Sequence, residues 1–464
     1  MSQVFSFPRK VNDVDAVHFF LGRLQRCNVA MTMVAVLGGE VQFGEVRELL
    51  RPLGDEVPRW KDYLRRAPWD LTAPTWAPRV NMTIDEHLTE RHLAPGATWS
   101  NVWDVVDELQ NLPFPEEKPP WQVILLQGAP GGRSIVVSKV HHSFSDGTAL
   151  ALMFGKMFMR AALEASGVEM EVITAPAPQG RAREAWLTWR SALGDWSRYV
   201  IRAAGPYLRD RHERAREADG MRAYLQRTRW SWTQQSATRR SASFRVPMDV
   251  WRAEAARRHG GINDLYLALM AHIMREYTGA GEPEAQALRV VMPVSTRPTD
   301  GLQDGGNMVS VGILELSGTA GDLDDLGEVK LEAALAKEAA RAYKPTFVDI
   351  SLPLLPGALR ARLAHRRFAA NDVLATSMVL PDGEMCGVPF EMVFMTAPVI
   401  GIPLSFSLAT YRNQLFLAAN YDVGIVTNPR RLERCISTCL VAVFGSDAVT
   451  VMRDAHSNFD KVGA

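Results

Sequence analysis

The sequence predicts an α/β fold, in the sense of an α+β arrangement with mixed sheets, that is divided into two domains. Three observations lead to this prediction. The chain has 464 residues, too many for one typical core and about right for two domains of ordinary size. Strand and helix patterns alternate in two segments, residues 1–170 and 236–464. Residues 171–235, rich in arginine and tryptophan, differ from both and are predicted to be a helical linker.

The composition is that of a globular chain, with 47% hydrophobic and 22% charged residues and a formal net charge of zero. A general nucleic-acid binder needs a clear basic excess, so this class is disfavoured, although a local basic patch is compatible with the balance. The four cysteines lack paired metal-binding spacing. Cys435 and Cys439, four apart in a predicted helix, are interpreted as small buried residues, and no metal site is predicted.

The start of the chain and its apolar runs bear on where the protein is located. The first twenty residues show no apolar signal-peptide region, and no apolar run approaches the roughly 18 residues of a membrane-spanning helix. The expected location is therefore the cytoplasm, with contact to a membrane or lipid surface left open.

The first segment combines helices with a β-hairpin. The predicted elements are helices at 13–26, 43–53, 60–66 and 147–165, strands at 30–37, 122–127 and 134–140, and a loop around residues 74–76. The last two strands flank a turn rich in glycine and proline, so they are expected to form the hairpin. The hairpin ends at a pair of histidines.

The third segment is a second α/β unit. Its predicted strands are 241–246, 287–293, 308–316, 373–380, 388–395, 404–411 and 414–421, and its predicted helices are 249–259, 264–277, 325–343 and 429–444. Two α/β halves joined by a linker favour a site in the cleft between them.

The linker segment contains one long helical pattern. Residues 174–180 carry two prolines and a final glycine, which is typical of a connection. Beyond them, Trp186, Trp189 and Trp196 recur at helical spacing among arginines, so residues 181–216 are predicted to form an amphipathic helix with an aromatic face. Two interpretations stay open: the helix packs on its own protein, or it contacts a membrane, a lipid droplet or a partner.

A compact motif stands between the predicted hairpin and the helix that follows it, and its residues are His141, His142, Ser143, Phe144, Ser145, Asp146 and Gly147. A strand-to-helix junction exposes side chains at a sheet edge beside the free N–H groups of a helix start. His142 suits a general base because the pKa of a free histidine lies near working pH, and Gly147 lets a substrate approach the backbone. Asp146 is open to two roles, helix N-cap and ion-pair partner.

A structural interpretation of the motif is also available, with two satisfied histidines and a plain N-cap. Average residue usage makes two histidines, an aspartate and a glycine at this spacing a chance event in about one chain in a thousand of this length, which favours a functional site. A relic site in a non-catalytic lipid-binding protein is a further alternative, and the complete motif counts against it.

The motif and several other blocks resemble the bacterial wax ester synthase/acyl-CoA:diacylglycerol acyltransferases. The resemblance is spread over nearly the whole chain. Its blocks are Asn12-Asp13-Val14-Asp15 with Phe19-Phe20-Leu21 and Met31, Pro119-Pro120-Trp121, Ser138-Lys139-Val140-His141-His142, Gly261-Ile262-Asn263-Asp264, Pro293-Val294-Ser295-Thr296-Arg297, Gly306-Asn307-Met308-Val309-Ser310, and Tyr421-Asp422 with Asn428-Pro429.

The resemblance implies a fold like that of chloramphenicol acetyltransferase, with two halves and the active-site histidine at their interface. It implies an O-acyltransferase in which His142, next to His141, acts directly on a hydroxyl without an acyl-enzyme. Acyl-CoA would enter as a co-substrate from one side and an alcohol from the other, so no bound cofactor is expected. The default acceptor is a long-chain alcohol or diacylglycerol.

Condensation domains of peptide synthesis share the His-His-x-x-x-Asp-Gly pattern, take acyl groups from carrier proteins and form amides or esters. A free-standing enzyme of this kind, with a carrier protein as partner, is therefore the alternative interpretation. The Asn-Asp and Pro-Val-Ser-x-Arg blocks favour the acyl-CoA-dependent class.

Four further residues are expected to support the site. The resemblance makes Asn263 and Asp264 structural support for the site or the interface, with a helix N-cap as the alternative for Asn263. Arg297 is a candidate ion-pair partner for Asp146, because a buried carboxylate beside a catalytic histidine needs one; a surface arginine is the alternative. Trp121 belongs to the Pro-x-Trp block.

Two segments depart from the family pattern. Pro120 stands where the family has leucine, and residues 377–381 (Ser-Met-Val-Leu-Pro) replace the expected Asn-Val-Pro-Gly-Pro. These changes leave the expected chemistry intact but put the acceptor in doubt. A hydroxyl of a specialised metabolite is therefore included among the candidate acceptors.

Overall fold

The computed structural model describes residues 3–25, 27–147, 150, 170–174, 180–209, 224–225, 235–236, 238–279, 287–297, 301–316, 323–343, 349 and 351–453. The strands are β1 (Gln3–Phe7), β2 (Ala30–Leu37), β3 (Asp62–Arg65), β4 (Thr75–Pro78), β5 (Leu88–His92), β6 (Trp121–Ala129), β7 (Arg133–His141), β8 (Met170–Thr174), β9 (Arg239–Pro247), β10 (Leu288–Ser295), β11 (Gly301–Asp304), β12 (Val309–Leu316), β13 (Val373–Leu380), β14 (Glu384–Met385), β15 (Val388–Thr396), β16 (Leu404–Tyr411), β17 (Gln414–Asp422) and β18 (Thr450–Val451). The helices are α1 (Asp13–Leu24), α2 (Phe43–Leu50), α3 (Leu53–Glu56), α4 (Trp99–Asn111), α5 (Arg181–Arg209), α6 (Met248–Arg257), α7 (Ile262–Thr278), α8 (Gly327–Ala342), α9 (Gly357–Ala369) and α10 (Pro429–Phe444).

The first large sheet has the strand order β14-β15-β2-β7-β6-β5. Its strand β7 pairs antiparallel with both β2 and β6, and is buried along nearly its whole length. Burial on both faces explains why the sequence of β7 reads as a continuous apolar run, Ile135-Val136-Val137, rather than an alternating one. Trp60, Trp103 and Trp121 pack in the core around this sheet.

The second large sheet has the order β12-β10-β13-β16-β17-β9-β18. Residues of α7, α8 and α10 pack with its strands in a second core. The predicted hairpin of strands 404–411 and 414–421 is present, because β16 and β17 pair antiparallel with Tyr411 opposite Gln414. A smaller sheet, β11-β1-β8, and the β3-β4 ribbon complete the described strands.

The third segment contributes strands to the first sheet. β15, from the third segment, pairs antiparallel with β2 of the first sheet, with Phe394 opposite Val34. Helix α9 likewise packs against α1. The first sheet therefore contains strands from the segment 236–464. Residue patterns show that β15 is a strand, but they do not show which sheet it joins.

Most predicted elements match the structure, and two predictions are wrong. Strands 30–37, 373–380 and 404–411 and helix 429–444 are confirmed to the residue. Residues 60–66 do not form the predicted helix. A 3-10 turn at Pro58–Lys61 ends at residue 61 and leads directly into β3. Residues 74–76 are not only a loop, since β4 begins at Thr75 and pairs with β3. The two errors have one cause: distant pairing outweighed the local pattern.

Three of the described helices were not predicted, and part of the predictions lies outside the described residues. The sequence reasoning missed α4, α9 and the short α3. The predicted helix 147–165 is described only at Gly147 and Leu150, and the predicted helix 181–216 only as far as Arg209. In α10, Cys439 is buried, Cys435 is partly exposed, and both thiols are free. Within the described ranges, the helices lack the combined length and apolar character needed to cross a membrane.

Candidate active site

The motif continues the first sheet into the region between the two halves. β7 ends at His141, and the main-chain N–H of that residue donates to the carbonyl of Pro120 (2.9 Å). The N–H of His142 donates to the carbonyl of Val29, also at 2.9 Å. The histidine end of the motif is therefore fixed by the backbone of the N-terminal half.

His141 is buried and held in one tautomer. Its Nδ1 accepts a hydrogen bond from the main-chain N–H of Ser143 (3.1 Å), so the proton of the neutral ring lies on Nε2. The ring meets Phe114 edge-on, with centroids 5.5 Å apart. Burial lowers the pKa of His141 to about 3, and His142 and Lys139 act in the same direction. A ring that stays neutral and hydrogen-bonded to its own loop is suited to shaping the site.

His142 has a different environment. It is partly exposed, whereas the residues from Ser143 to Asp146 are buried. Burial of the ring lowers its pKa, opposed by the residue's own carbonyl, Asp146 and Asn307. Its buried Nδ1 makes no hydrogen bond of normal geometry with a described residue.

Asp146 is held by the C-terminal half. The guanidinium of Arg297 forms a buried ion pair with its carboxylate, with Nη2 at 2.8 Å from Oδ2. The main-chain N–H of Met308 donates to the same oxygen at 2.9 Å, and Arg297 also donates to the carbonyl of Gly306. The ion pair expected between Asp146 and Arg297 is thus present. The Asp146 carbonyl accepts from the N–H of Leu150, as an N-cap residue does.

A second set of contacts joins the motif to α1 and to the segment before β12. Asn307 donates through its side-chain amide to the Asp15 carboxylate and to the His142 carbonyl, the latter at 2.6 Å. The hydroxyl of Ser143 donates to the Asp15 carbonyl, and that of Ser145 to the Gly305 carbonyl, both at 2.7 Å. Sequence reasoning placed Asp15 and Asn307 in family blocks but gave neither a role at the site.

Gly147 faces Met378, which belongs to the segment 377–381 that differs from the family pattern. A Cβ added to Gly147 would lie 2.5 Å from Cε of Met378, a distance that real side chains do not adopt. Met378 is partly buried and packs against the first core. The space that a glycine opens at the end of the motif is therefore filled by Met378, one of the residues that replace the expected family sequence.

Trp121 lies directly beneath the motif. It is buried, and its indole N–H donates to the carbonyl of Trp60 at 2.8 Å. Its ring stacks on His87, with centroids 4.4 Å apart, and its main chain pairs with Val140. Trp121 therefore packs in the core beside the end of β7.

Asn263 and Asp264 are not brought to the motif. α7 begins at Ile262, and the Asp264 carboxylate accepts from the N–H of Gly261 at 2.9 Å. The helix N-cap is therefore Gly261, and the alternative role of Asn263 as N-cap is wrong. Asn263 is exposed. No hydrogen bond or ion pair within the described part of the chain links either residue to His142 or Asp146.

Lys139, two residues before the histidine pair, is fully buried on β7. Its ammonium donates to the carbonyls of Leu109 and Leu112 at the end of α4, and it lies 4.6 Å from the ring centre of Phe114. Burial lowers its pKa to about 8. A cation at a helix C-terminus satisfies the last free carbonyls, so Lys139 fixes the segment that follows α4.

A cavity of about 730 Å³ lies in the N-terminal half, and His141 is the motif residue in its lining. Phe114 and the apolar side chains of Phe19 and Leu112 also line it. Its charged lining residues are Arg23, Arg66, Glu116, Glu117, Lys118 and Arg181. The volume is in the range of small-molecule binding sites.

Helix α5 packs on the protein along one face. Glu184 is bound by Arg65 and by the hydroxyl of Thr75, and the Trp196 indole N–H donates to the Ser351 hydroxyl at 3.3 Å. Trp186 lies on the other side, 58% exposed. The predicted aromatic face is therefore divided between protein and solvent.

The comparisons with known proteins agree with this arrangement. The family model for the wax ester synthase/diacylglycerol acyltransferase catalytic domain matches residues 12–266, which is more than half of the chain. The chain belongs to this family. A Mycobacterium tuberculosis protein provisionally named a diacylglycerol O-acyltransferase is 24% identical over 370 residues, 77% of this chain and 78% of its own length. Another relative from that organism, with the same provisional name, is 21% identical over the whole of this chain and 98% of its own.

Solved structures of other proteins have the same fold as this chain. The wax ester synthase/diacylglycerol acyltransferase of Marinobacter aquaeolei VT8 has a TM-score of 0.59 at 16% identity, over 94% of this chain and 99% of that one. The first condensation domain of the calcium-dependent antibiotic synthetase has a TM-score of 0.58 at 14% identity, over 96% and 98%. The two-domain chloramphenicol-acetyltransferase-like fold is therefore confirmed, with mixed sheets and the motif between the halves.

Proposed function

We propose that the chain is an acyl-CoA-dependent O-acyltransferase that forms an ester with a hydroxyl acceptor, and that His142 is its general base. The candidate acceptors are a fatty alcohol, diacylglycerol or a hydroxyl of a specialised metabolite. One observation supports the base assignment above the others. His142 is the ionisable motif residue with a partly exposed side chain, while His141 and Asp146 are buried and already bonded.

The proposed step needs no acyl-enzyme. His142 Nε2 takes the proton of the acceptor hydroxyl as its oxygen attacks the thioester carbonyl carbon. The tetrahedral intermediate collapses, the carbon–sulfur bond breaks, and the proton on His142 passes to the thiolate of CoA. A lowered pKa keeps His142 in its neutral, proton-accepting form at neutral pH. Acyl-CoA is a co-substrate in this step, which uses no bound cofactor.

Asp146 has a positioning role in this proposal. Its carboxylate is fully engaged with Arg297 and the N–H of Met308, and it acts on His142 through charge rather than by contact with substrate. Asn307 holds the main chain of His142 in the same way. Asn307 belongs to the C-terminal half, and Asp146 is bound by Arg297 of that half. Catalysis therefore depends on the two halves being docked.

The cavity beside His141 is proposed to hold one of the two substrates. Its lining includes Phe19, Leu112 and Phe114, which suit an apolar chain, and its charged residues suit a polar group. The charged residues are paired with one another or with neighbours; Arg23, for example, binds Glu116. This lining fits an amphiphilic molecule.

A donor and acceptor matrix read by mass spectrometry tests the proposal. Acyl-CoAs of several chain lengths are combined with fatty alcohols, diacylglycerol and polyol or polyketide alcohols, and the His142→Gln variant is the control. We expect an ester product that requires His142. Parallel sets supply the acyl group on a carrier protein and offer amines as acceptors. Product from that donor alone, or amide product from amines alone, would replace the proposal with a condensation-type enzyme.

We also propose that α5 contacts a lipid surface. Trp186 and Ile201 are exposed, at 58% and 79%, among arginines that suit anionic headgroups. Flotation with anionic liposomes compares the wild type with Trp186→Ala/Ile201→Ala. The matched control is Trp196→Phe, at an inward position of the same helix. Binding that is lost in the double variant but kept in the control is expected; no binding by the wild type would refute the contact.

A further inference from the structure

The ring of His142 does not stand alone. His18, on α1, lies parallel to it, with ring centroids 4.2 Å apart and an angle of 4° between the planes. His18 is itself buried, with 6% of its surface exposed. Two imidazoles that stack this closely are in direct contact, so the orientation of one ring constrains that of the other.

The protonation state of His18 is fixed by its hydrogen bond. Its Nδ1 lies 2.9 Å from the carbonyl oxygen of Val14, and a carbonyl only accepts, so Nδ1 carries the proton. The ring is neutral in this state. Burial, with His142 and His141 nearby, lowers the pKa of His18 well below its usual value. A second positive charge beside His142 is therefore disfavoured.

Helix α1 is held against the motif one turn before His18. The Asp15 carbonyl accepts from the Ser143 hydroxyl, and the Asp15 carboxylate accepts from the side chain and the main-chain N–H of Asn307. These bonds fix α1 one turn before His18. The placement of His18 over His142 thus follows from a bonded helix rather than from a mobile side chain.

We propose that His18 is a positioning residue for acyl transfer: its neutral imidazole lies flat on His142, fixes the orientation of that ring and stabilises the ring once it has taken a proton. The stabilisation comes from the negative face of a neutral aromatic ring under a cation. It acts only on the protonated form, so it favours the transition state over the ground state. The proposal rests on His142 being the base.

Among the described residues, the charged and titratable groups near the stack include His141, Asp146 and Asp15. His141 faces both rings from β7, and Asp146, paired with Arg297, acts on His142 from the start of the next helix. Asp15 lies on α1 itself and is bonded to Asn307. The favourable charge at His142 therefore comes from Asp146, and the proposed contribution of His18 adds to it through the ring face.

A matched pair of variants tests this proposal. His18→Phe and His18→Leu both remove the hydrogen bond to Val14 and both fill the site with an apolar side chain, but only phenylalanine can stack. We expect His18→Leu to lower kcat about tenfold with little change in KM. We expect His18→Phe to stay within about threefold of wild type. Melting temperatures of both variants show whether a loss is only structural.

A second measurement does not depend on turnover. The titration of His142 is followed by NMR of ring-labelled histidine, with His142→Gln identifying its signal. The pKa of His142 should fall in His18→Leu and stay close to the wild-type value in His18→Phe. Equal kcat and equal titration in the two variants would overturn the role of His18. If the wild type forms no ester, the proposed function fails while this titration still decides the stacking effect.

Discussion

The two ends of the motif are held by different parts of the molecule. At the histidine end, main-chain bonds to Pro120 and Val29 continue the first sheet, and both partners belong to the N-terminal half. At the aspartate end, Arg297, Met308 and Gly305 come from the segment around β10 and β12. Each half thus anchors one end of the motif, so the site is complete only when both halves are docked.

The two ends also differ in their proposed roles: the histidine end carries the chemistry, and the aspartate end supports the structure of the site. His142 is partly exposed, whereas Asp146 is buried and its carboxylate is bonded to Arg297 and to the N–H of Met308. Substitution at the histidine end should therefore affect turnover, and substitution at the aspartate end should affect stability first. The predictions below test that separation, beginning with the largest expected effect.

Replacement of His142 by alanine should abolish nearly all ester formation. Loss of a general base costs about 10²- to 10⁴-fold in rate. The side chain makes no hydrogen bond of normal geometry through Nδ1, so folding should be retained. Single-turnover assays and thermal melting measure the two quantities. Near-normal turnover in this variant would refute the base assignment.

Replacement of Arg297 by alanine should lower the melting temperature strongly. It leaves the buried Asp146 carboxylate without its partner, and breaking a buried ion pair costs roughly 3–5 kcal/mol. The double variant Asp146→Asn/Arg297→Met should lose less stability than the sum of its single changes. Arg91→Ala, which removes an exposed pair with Glu108, is the control and should change little. An unchanged melting temperature in Arg297→Ala, with activity lost, would place the pair in the chemistry.

Replacement of Gly147 by alanine should reduce activity through crowding. The new Cβ would lie 2.5 Å from Cε of Met378, so the flexible end of that side chain must move and the space at the end of the motif changes. The second change Met378→Ala should restore part of the activity by making room. Product chain length is measured in parallel, because Met378→Ala alone opens space beside the motif. A double variant no better than Gly147→Ala would show that the glycine serves another purpose.

The pH dependence of kcat/KM should report the electrostatic interaction between Asp146 and His142. His142 must be neutral to act as base, and its pKa is lowered, so kcat/KM should fall only as pH drops below about 6.5. Asp146 raises that pKa, so Asp146→Asn should move the acid limb to still lower pH, measured on folded protein. A limb that moves upward would show that Asp146 acts on His142 by another route.

The sequence predicted the motif in its structural setting because local signals there are strong. A continuous apolar run ending at two histidines indicated a buried strand, and the structure has β7 ending at His141. The pairing of Asp146 with Arg297 was also expected, from the need of a buried carboxylate for a cation. The errors at residues 60–66 and 74–76 arose where a short strand paired with a distant one, which local periodicity does not register.

By itself, the sequence determined the family, the reaction class it implies and the residue proposed as base, because spacing within seven residues survives in any fold that keeps the strand-to-helix junction. Only the tertiary structure decided how that base is held. In the structure, Asn307 bonds to Asp15 and His142, and the His18 ring stacks on the His142 ring. Met378 lies against Gly147, and β15 pairs within the first sheet. These contacts join residues far apart in the chain, and the pattern of one element shows that a face is buried but not which partner covers it.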